Sequence, residues 1–383
     1  MSRPVLHTVL CDLLKIEYPV VLAGMGPTVG GGTGGVAGVD LVAAISNAGG
    51  LGVLGAAGFP PDQLEERISQ IQDLTNKPFG IDILVPSNTA PRPAADSMPD
   101  DMRDLLPAEQ VGALNAIRDN LELPDEQAER PTLRVPDFTP QDQVDTIVGM
   151  GVPVLATGLG NPAPYTDQVH AAGGVVMSLV GNVKNAKRVL DGGADIVVAQ
   201  GHDAGGHTGR IGTMALLPQV LDAVSPTPVV AAGGIGDGRG LSAVLAMGCV
   251  GAWCGTVFIP TKEANLDDFR KQRILDAGEE DTRISRLYSG KTMRNITNEL
   301  IEAWEDSGTR ALPMGLQGVL VADVMHSAKQ AGREDLLMNA AGQISGLITE
   351  IRSAGDVLED MVAEAVEILD RRLPAAVTAK PAS

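Results

Sequence analysis

Short apolar runs alternate along this chain with longer segments whose apolar positions recur every three or four residues. That alternation is the pattern of repeated strand-helix units building a parallel sheet. It predicts strands over residues 20–23, 52–55, 79–84, 152–156, 174–179, 196–200, 229–232 and 251–254. Eight consecutive units favour an α/β fold of the closed kind, a (β/α)8 TIM barrel over residues 1–259, rather than an open doubly wound sheet.

Two segments break the rhythm. Residues 86–143 are rich in proline and acid, with Pro91-Arg-Pro and Pro99-Asp-Asp ahead of one helical stretch at 108–121, and form an insertion after the third strand. In a barrel such an insertion rises over the C-terminal ends of the strands, either as a lid or as a mobile surface excursion. Beyond Ile259, helical periodicity at 266–277, 298–304 and 357–372 predicts a helical extension, 260–373, that packs on the barrel and completes it. The tail 374–383 is expected to be flexible.

Composition narrows the class. With 383 residues and 44% hydrophobic content the chain can bury a large core, and its net charge of -19 repels nucleic acid and anionic membrane surfaces. A small-molecule substrate fits better. The cysteines are Cys11, Cys249 and Cys254, whose spacing matches neither a redox C-x-x-C nor a zinc framework, so a reducing cytoplasm is the expected setting. Neither a signal sequence nor an apolar run of membrane-spanning length is read.

The chemistry collects where strands run into glycine. Val197-Val-Ala-Gln-Gly-His-Asp-Ala-Gly-Gly-His-Thr-Gly-Arg210 carries two of the five histidines, His202 and His207, just past a strand end. A general acid/base or hydrogen-bond donor is the reading there; no metal site is predicted, since neither a helical H-x-x-x-H nor a carboxylate set accompanies them. His7, His170 and His326 lack the glycine context and read as structural or surface residues. Val229-Val-Ala-Ala-Gly-Gly-Ile-Gly-Asp-Gly-Arg-Gly240 leads into a helix at 241–247, and Gly251-Ala-Trp-Cys-Gly-Thr-Val-Phe258 follows one helix later. Open backbone amides at such turns suit a phosphate, and the loops after strands seven and eight often form that grip; close strand-helix packing is the alternative use of the same glycines. At the first strand, Ala23 and Gly24 let a flat ligand approach the backbone, and Met25 is placed either to cover a ring face or simply to pack. Gly30-Gly-Gly-Thr-Gly-Gly35 lacks a strand-to-helix context and reads as a flexible loop, not a nucleotide fingerprint.

These motifs together resemble the nitronate monooxygenase family, formerly the 2-nitropropane dioxygenases. The resemblance extends to Ser46-Asn-Ala-Gly-Gly-Leu-Gly-Val-Leu54, Lys77-Pro-Phe-Gly-Ile-Asp82 and Ala341-Gly-Gln-Ile-Ser-Gly-Leu-Ile348, and it covers most of the chain apart from 86–143 and the tail. It implies non-covalent FMN at the strand C-termini. Matched residue by residue, Ala23, Gly24, Met25, Asp82, Gln200 and Gly205 would border the flavin, Gly233, Gly234, Gly255 and Thr256 would hold its phosphate, and His207 would be the catalytic histidine. Two positions depart from the family: Asp82 stands where an asparagine is usual, and Thr208 where many nitronate-oxidising members have arginine. His202 has no family counterpart.

The function expected is FMN-dependent oxidation of alkyl nitronates by O2 to a carbonyl compound and nitrite. The alternative on the same barrel is NAD(P)H-dependent reduction of an enoyl thioester, as in the flavin-type enoyl-acyl carrier protein reductases, or of a quinone. A flavin-free phosphate-binding barrel is the third reading.

Overall fold

The computed structural model describes residues 4–27, 35–85, 100–125, 132–133 and 136–379. The glycine loop at 30–35, all but its last residue, lies outside these. Its strands are β1 (Val20–Leu22), β2 (Gly52–Gly55), β3 (Phe79–Leu84), β4 (Val154–Gly158), β5 (Val175–Val180), β6 (Ile196–Gln200), β7 (Gly206–His207), β8 (Val229–Ala232), β9 (Gly251–Cys254), β10 (Thr282–Ser285) and β11 (Met293–Ile296). Eight of them form one all-parallel sheet in the order β1-β9-β8-β6-β5-β4-β3-β2. The sheet closes on itself: Leu22 N–H donates to the Leu51 carbonyl at 2.9 Å and Leu51 N–H to the Val20 carbonyl at 3.0 Å. The expected TIM barrel is thus the observed architecture. β4 begins two residues later than the sequence predicts, because Pro153 has no N–H to give a ladder, and β5 begins one residue later at Val175.

Strands buried on both faces explain the unbroken apolar runs. Inward, Val21, Val53, Val154, Met177, Val198, Val230 and Trp253 fill the barrel, and the helix Val9–Leu14 stoppers its N-terminal end with Leu10, Cys11 and Leu14. Outward, Leu22, Leu54, Ile81, Leu155, Val176, Val197 and Val229 meet the surrounding helices. Each such burial stabilises by roughly 1.5–3 kcal/mol, against about 0–1 for a surface ion pair, so these two apolar layers hold the barrel together.

The eighth helix of the ring is Ala354–Glu367, which packs against Val39–Ala48 and Gly238–Ala246. It arrives only after a long excursion from the end of β9. Within that excursion the helices Asp268–Leu275, Glu299–Asp306 and Leu316–Gln330 are joined by a feature the helical reading missed: β10 and β11 pair antiparallel, and β11 pairs in turn with β7. Residues 100–125 of the insertion do not stand free. Their helix Ala108–Asn120 places Leu114 and Ile117 in a second core with Leu300, Ile301, Trp304, Leu320 and Val324, and Arg103 pairs with Asp323 at 2.7 Å. Of the tail, residues 374–379 are exposed, Leu373–Ala376 forming a short helix, and 380–383 lie outside the described residues. Among the described residues no helix is long and apolar enough to cross a membrane.

Candidate functional site

At the C-terminal end of the barrel the inward side chains shrink to Ala23, Asp82, Gln200 and Ala232, and a cavity of about 600 Å³ opens above them. That volume suits a cofactor or small substrate. Ala23, Gly24, Met25, Asp82, Gln200, Gly205, His207, Gly233, Gly234, Gly255 and Thr256, scattered over more than two hundred residues of sequence, all line it. His202 does not. Its Nδ1 donates to the Gly209 carbonyl at 2.9 Å and its own carbonyl accepts from Arg294, so it fastens the loop from behind.

The end formed by β8 and β9 is built of backbone. Gly233 and Gly234 lie at φ 92° and 76°, where a side chain is strained, and a Cβ on Gly233 would meet the Gly201 carbonyl oxygen at 3.0 Å. The N–H groups of Gly233, Gly234, Gly255 and Thr256 donate no hydrogen bond among the described residues. Convergent unpaired amides make an anion site. The Thr256 hydroxyl accepts from Gly342 N–H at 2.9 Å, which leaves its own hydrogen to donate. The helix after β8 starts at Gly238, three residues before the expected position, because the Asp237 carboxylate accepts from the Arg239 and Gly240 amides and caps it.

Across the cavity the histidine loop is clamped by the excursion. Met293 pairs with His207 and Arg294 with Gly206; Thr208 N–H donates to the Thr292 carbonyl at 3.1 Å, and the Thr292 hydroxyl donates back to the Thr208 carbonyl at 2.8 Å. Gln200 donates its amide to the His207 carbonyl. Gly205 lies so close to the Ala341-Gly342 backbone that a Cβ would overlap it, which accounts for glycine in both segments. His207 Nε2 sits 2.9 Å from Ser289 Oγ. When that hydroxyl turns toward the Lys291 carbonyl, 3.4 Å away, Nε2 is the donor and Nδ1 keeps the lone pair. Burial first, and the nearby Lys291 second, push the His207 pKa down to about 4, so the ring is neutral at pH 7.

Sequence reasoning missed Ser289 and Lys291, which come from a segment read only as helical. Lys291 lines the cavity, and its ammonium has no hydrogen bond or ion pair among the described residues. The other charged residues on the lining are Arg188, Arg270 and Asp82. An acidic protein therefore presents a cation-rich cavity wall. Thr208, 8% exposed, bonds the Gly201 carbonyl at 3.1 Å. Cys254 is also on the lining, but burial pushes its thiol up to about 12, so it offers no thiolate. No residue of 100–125 reaches the cavity; 86–99 and 126–131, on which the lid expectation also falls, lie outside the described residues.

Residues 7–364 match the model of the nitronate monooxygenase family. Among relatives, the chain is 33% identical to a probable nitronate monooxygenase of Staphylococcus haemolyticus, over 89% of this chain and 92% of that protein. It is 31% identical to a hydroxy-methyl-oxo-octahydroindene-carboxyl-CoA dehydrogenase of Rhodococcus jostii, over 95% and 97%. Among solved structures it is similar to a nitroalkane oxidase from Streptomyces ansochromogenes, with a TM-score of 0.77, 29% identity and coverage of 95% and 99%. The chain belongs to the nitronate monooxygenase family and is a flavin-dependent oxidoreductase.

Proposed function

We propose, from this membership of the nitronate monooxygenase family as premise, that the protein binds FMN and oxidises alkyl nitronates with O2 to a carbonyl compound and nitrite. The family excludes the flavin-free reading. The observation that carries the proposal is the pairing, on one cavity wall, of a neutral histidine with an unpaired ammonium, His207 and Lys291. Such a pair suits a substrate that is, or becomes, an anion.

The residues present fit the cofactor. The unpaired amides of Gly233, Gly234, Gly255 and Thr256 would hold its phosphate, Ala23, Gly24 and Met25 would border the ring, and Asp82, Gln200 and Gly205 would meet its edges. When bound, FMN supplies the electron-transfer chemistry and the reaction with oxygen. Everything else falls to the chain. His207, neutral at pH 7 with its Nε2–H given to Ser289, takes the α-proton of a nitroalkane on Nδ1 and then hydrogen-bonds the nitronate through that proton. Lys291 holds the negative charge in place, Ser289 fixes the imidazole, and Gln200 fixes the His207 backbone.

A second reading, NAD(P)H-dependent reduction of an enoyl thioester or quinone, draws on Thr208 in place of the arginine of many nitronate oxidisers and on the relative that acts on a CoA thioester. One assay separates the two. Oxygen uptake driven by an alkyl nitronate without NAD(P)H is the result expected. Rapid anaerobic bleaching of the flavin by NADH or NADPH, with no nitronate-driven uptake, would overturn it in favour of the second.

A further inference from the structure

The cavity floor holds a carboxyl group with one oxygen left unsatisfied. Asp82 points inward from β3, is 8% exposed, and its Oδ1 is fully buried without a hydrogen-bond partner. No ion pair reaches it among the described residues. Around it lie Ala23, Gly24 and Met25 just past β1, Gly55 at the end of β2 with Ala56 after it, and Ala156 on β4, none of them charged. A Cβ on Gly24 would overlap the Asp82 side chain, so the chain keeps room for this acid. The other titratable or charged groups on the cavity are His207, Lys291, Arg188 and Arg270, and none of them is a partner of Asp82.

An ionised carboxylate in this position would have a buried, unpaired oxygen, which costs more than the same carboxylate in the water-exposed unfolded chain. The burial accordingly raises the group to about 7, with no opposing charge to lower it. A carboxylic acid differs from an amide in one respect: its single proton can be donated, and can also be lost.

We propose that Asp82 acts as a neutral carboxylic acid that donates its proton in a hydrogen bond to an acceptor atom on the edge of the flavin ring, so that cofactor binding requires the protonated form. Asp82 is then a cofactor-binding residue whose donor is switched by pH. The inference rests on the placement of the flavin in this cavity. By linkage, affinity is greatest at low pH and falls about tenfold per unit once the pH exceeds the value of the free protein, about 7. His207 does not contribute to that slope, being already neutral from about 4 upward.

The test is flavin binding to the stripped full-length protein, followed by quenching of FMN fluorescence between about pH 6 and about pH 9. The wild type should show the falling limb, and Asp82→Asn, whose amide donates but cannot ionise, should lose it and match the wild type near pH 6. The ionisation of the FMN phosphate is common to both proteins and cancels in the ratio. Parallel profiles for the two would overturn the proposal. A second measurement needs no variant: at about pH 8, binding should take up close to one proton per flavin from a weakly buffered solution. No uptake with normal binding overturns the role of Asp82 alone, whereas no flavin binding at any pH overturns the placement on which it rests.

Discussion

The two walls of the cavity are made by different physics. The barrel wall, at the ends of β8 and β9, offers backbone: Gly233 and Gly234 at φ values that only glycine adopts easily, and amides left without partners. The facing wall, where β11 joins β7, offers side chains: Ser289 against His207 and the unpaired Lys291. Backbone donors are fixed by the fold and cannot titrate or change sign. Side chains can be exchanged one by one without disturbing a strand. On the proposed function, cofactor recognition falls to the barrel and substrate recognition to the excursion, with His207 as the seam between them.

Changes at the seam should have the largest effect. His207→Asn is expected to leave the protein yellow and lower turnover by about 10²-fold or more, the scale of lost general acid-base help, as measured by oxygen uptake. Unchanged turnover would remove His207 from the chemistry. The same ring should make stability depend on pH. Its folded pKa of about 4 lies below the ordinary 6.5, so the unfolded chain takes up the proton first as pH falls. The contribution is present above about 6.5 and lost on descending through 4. Denaturant titrations should show it as about 2 kcal/mol, reduced from the full shift because the ring lies on an open cavity, and His207→Asn should flatten that part of the acid slope.

Smaller changes test each wall by itself. Gly233→Ala forces a Cβ into a left-handed position, which costs about 1–2 kcal/mol, so the dissociation constant for flavin should rise about tenfold while KM for substrate at saturating flavin stays constant. Lys291→Met should do the reverse. KM for an anionic substrate should rise roughly fivefold, the scale of about 1 kcal/mol for one hydrogen-bonded contact at an open cavity, and flavin affinity should not move. An equal loss of flavin affinity in both variants would erase the distinction between the walls.

The same division decided what could be read from the sequence. A strand buried on both faces is a continuous apolar run closed by glycine, and five of the eight barrel strands, from Gly52–Gly55 to Gly251–Cys254, lie at the residues the pattern predicts. The glycine turns were legible for the same reason, since a residue type marks the backbone shape. β11 was not. Its Met293-Arg-Asn-Ile296 buries Arg294 and Asn295 almost completely, and nothing local tells that Arg294 will find the Thr282 hydroxyl and the His202 carbonyl across the fold. Ser289 and Lys291 became site residues only through that pairing. The role of His202, which the sequence left open, is likewise set across the loop: its ring is spent on the Gly209 carbonyl.

The placement of Ala354–Glu367 also governs how the molecule can be made. The ribosome releases the last barrel strand, ending at Cys254, roughly a hundred residues before the helix that seals the ring. At about 5–20 residues per second that interval lasts on the order of 5–20 s. Throughout it the nascent chain displays an open apolar seam between Val39–Ala48 and Gly238–Ala246, and for about the first forty residues of it β7 also waits for its partner strand. Pairing of the histidine loop and sealing of the helical ring are therefore late, successive events of biosynthesis, and a ribosome stalled within the excursion would leave a chain with all eight barrel strands and an unsealed outer ring.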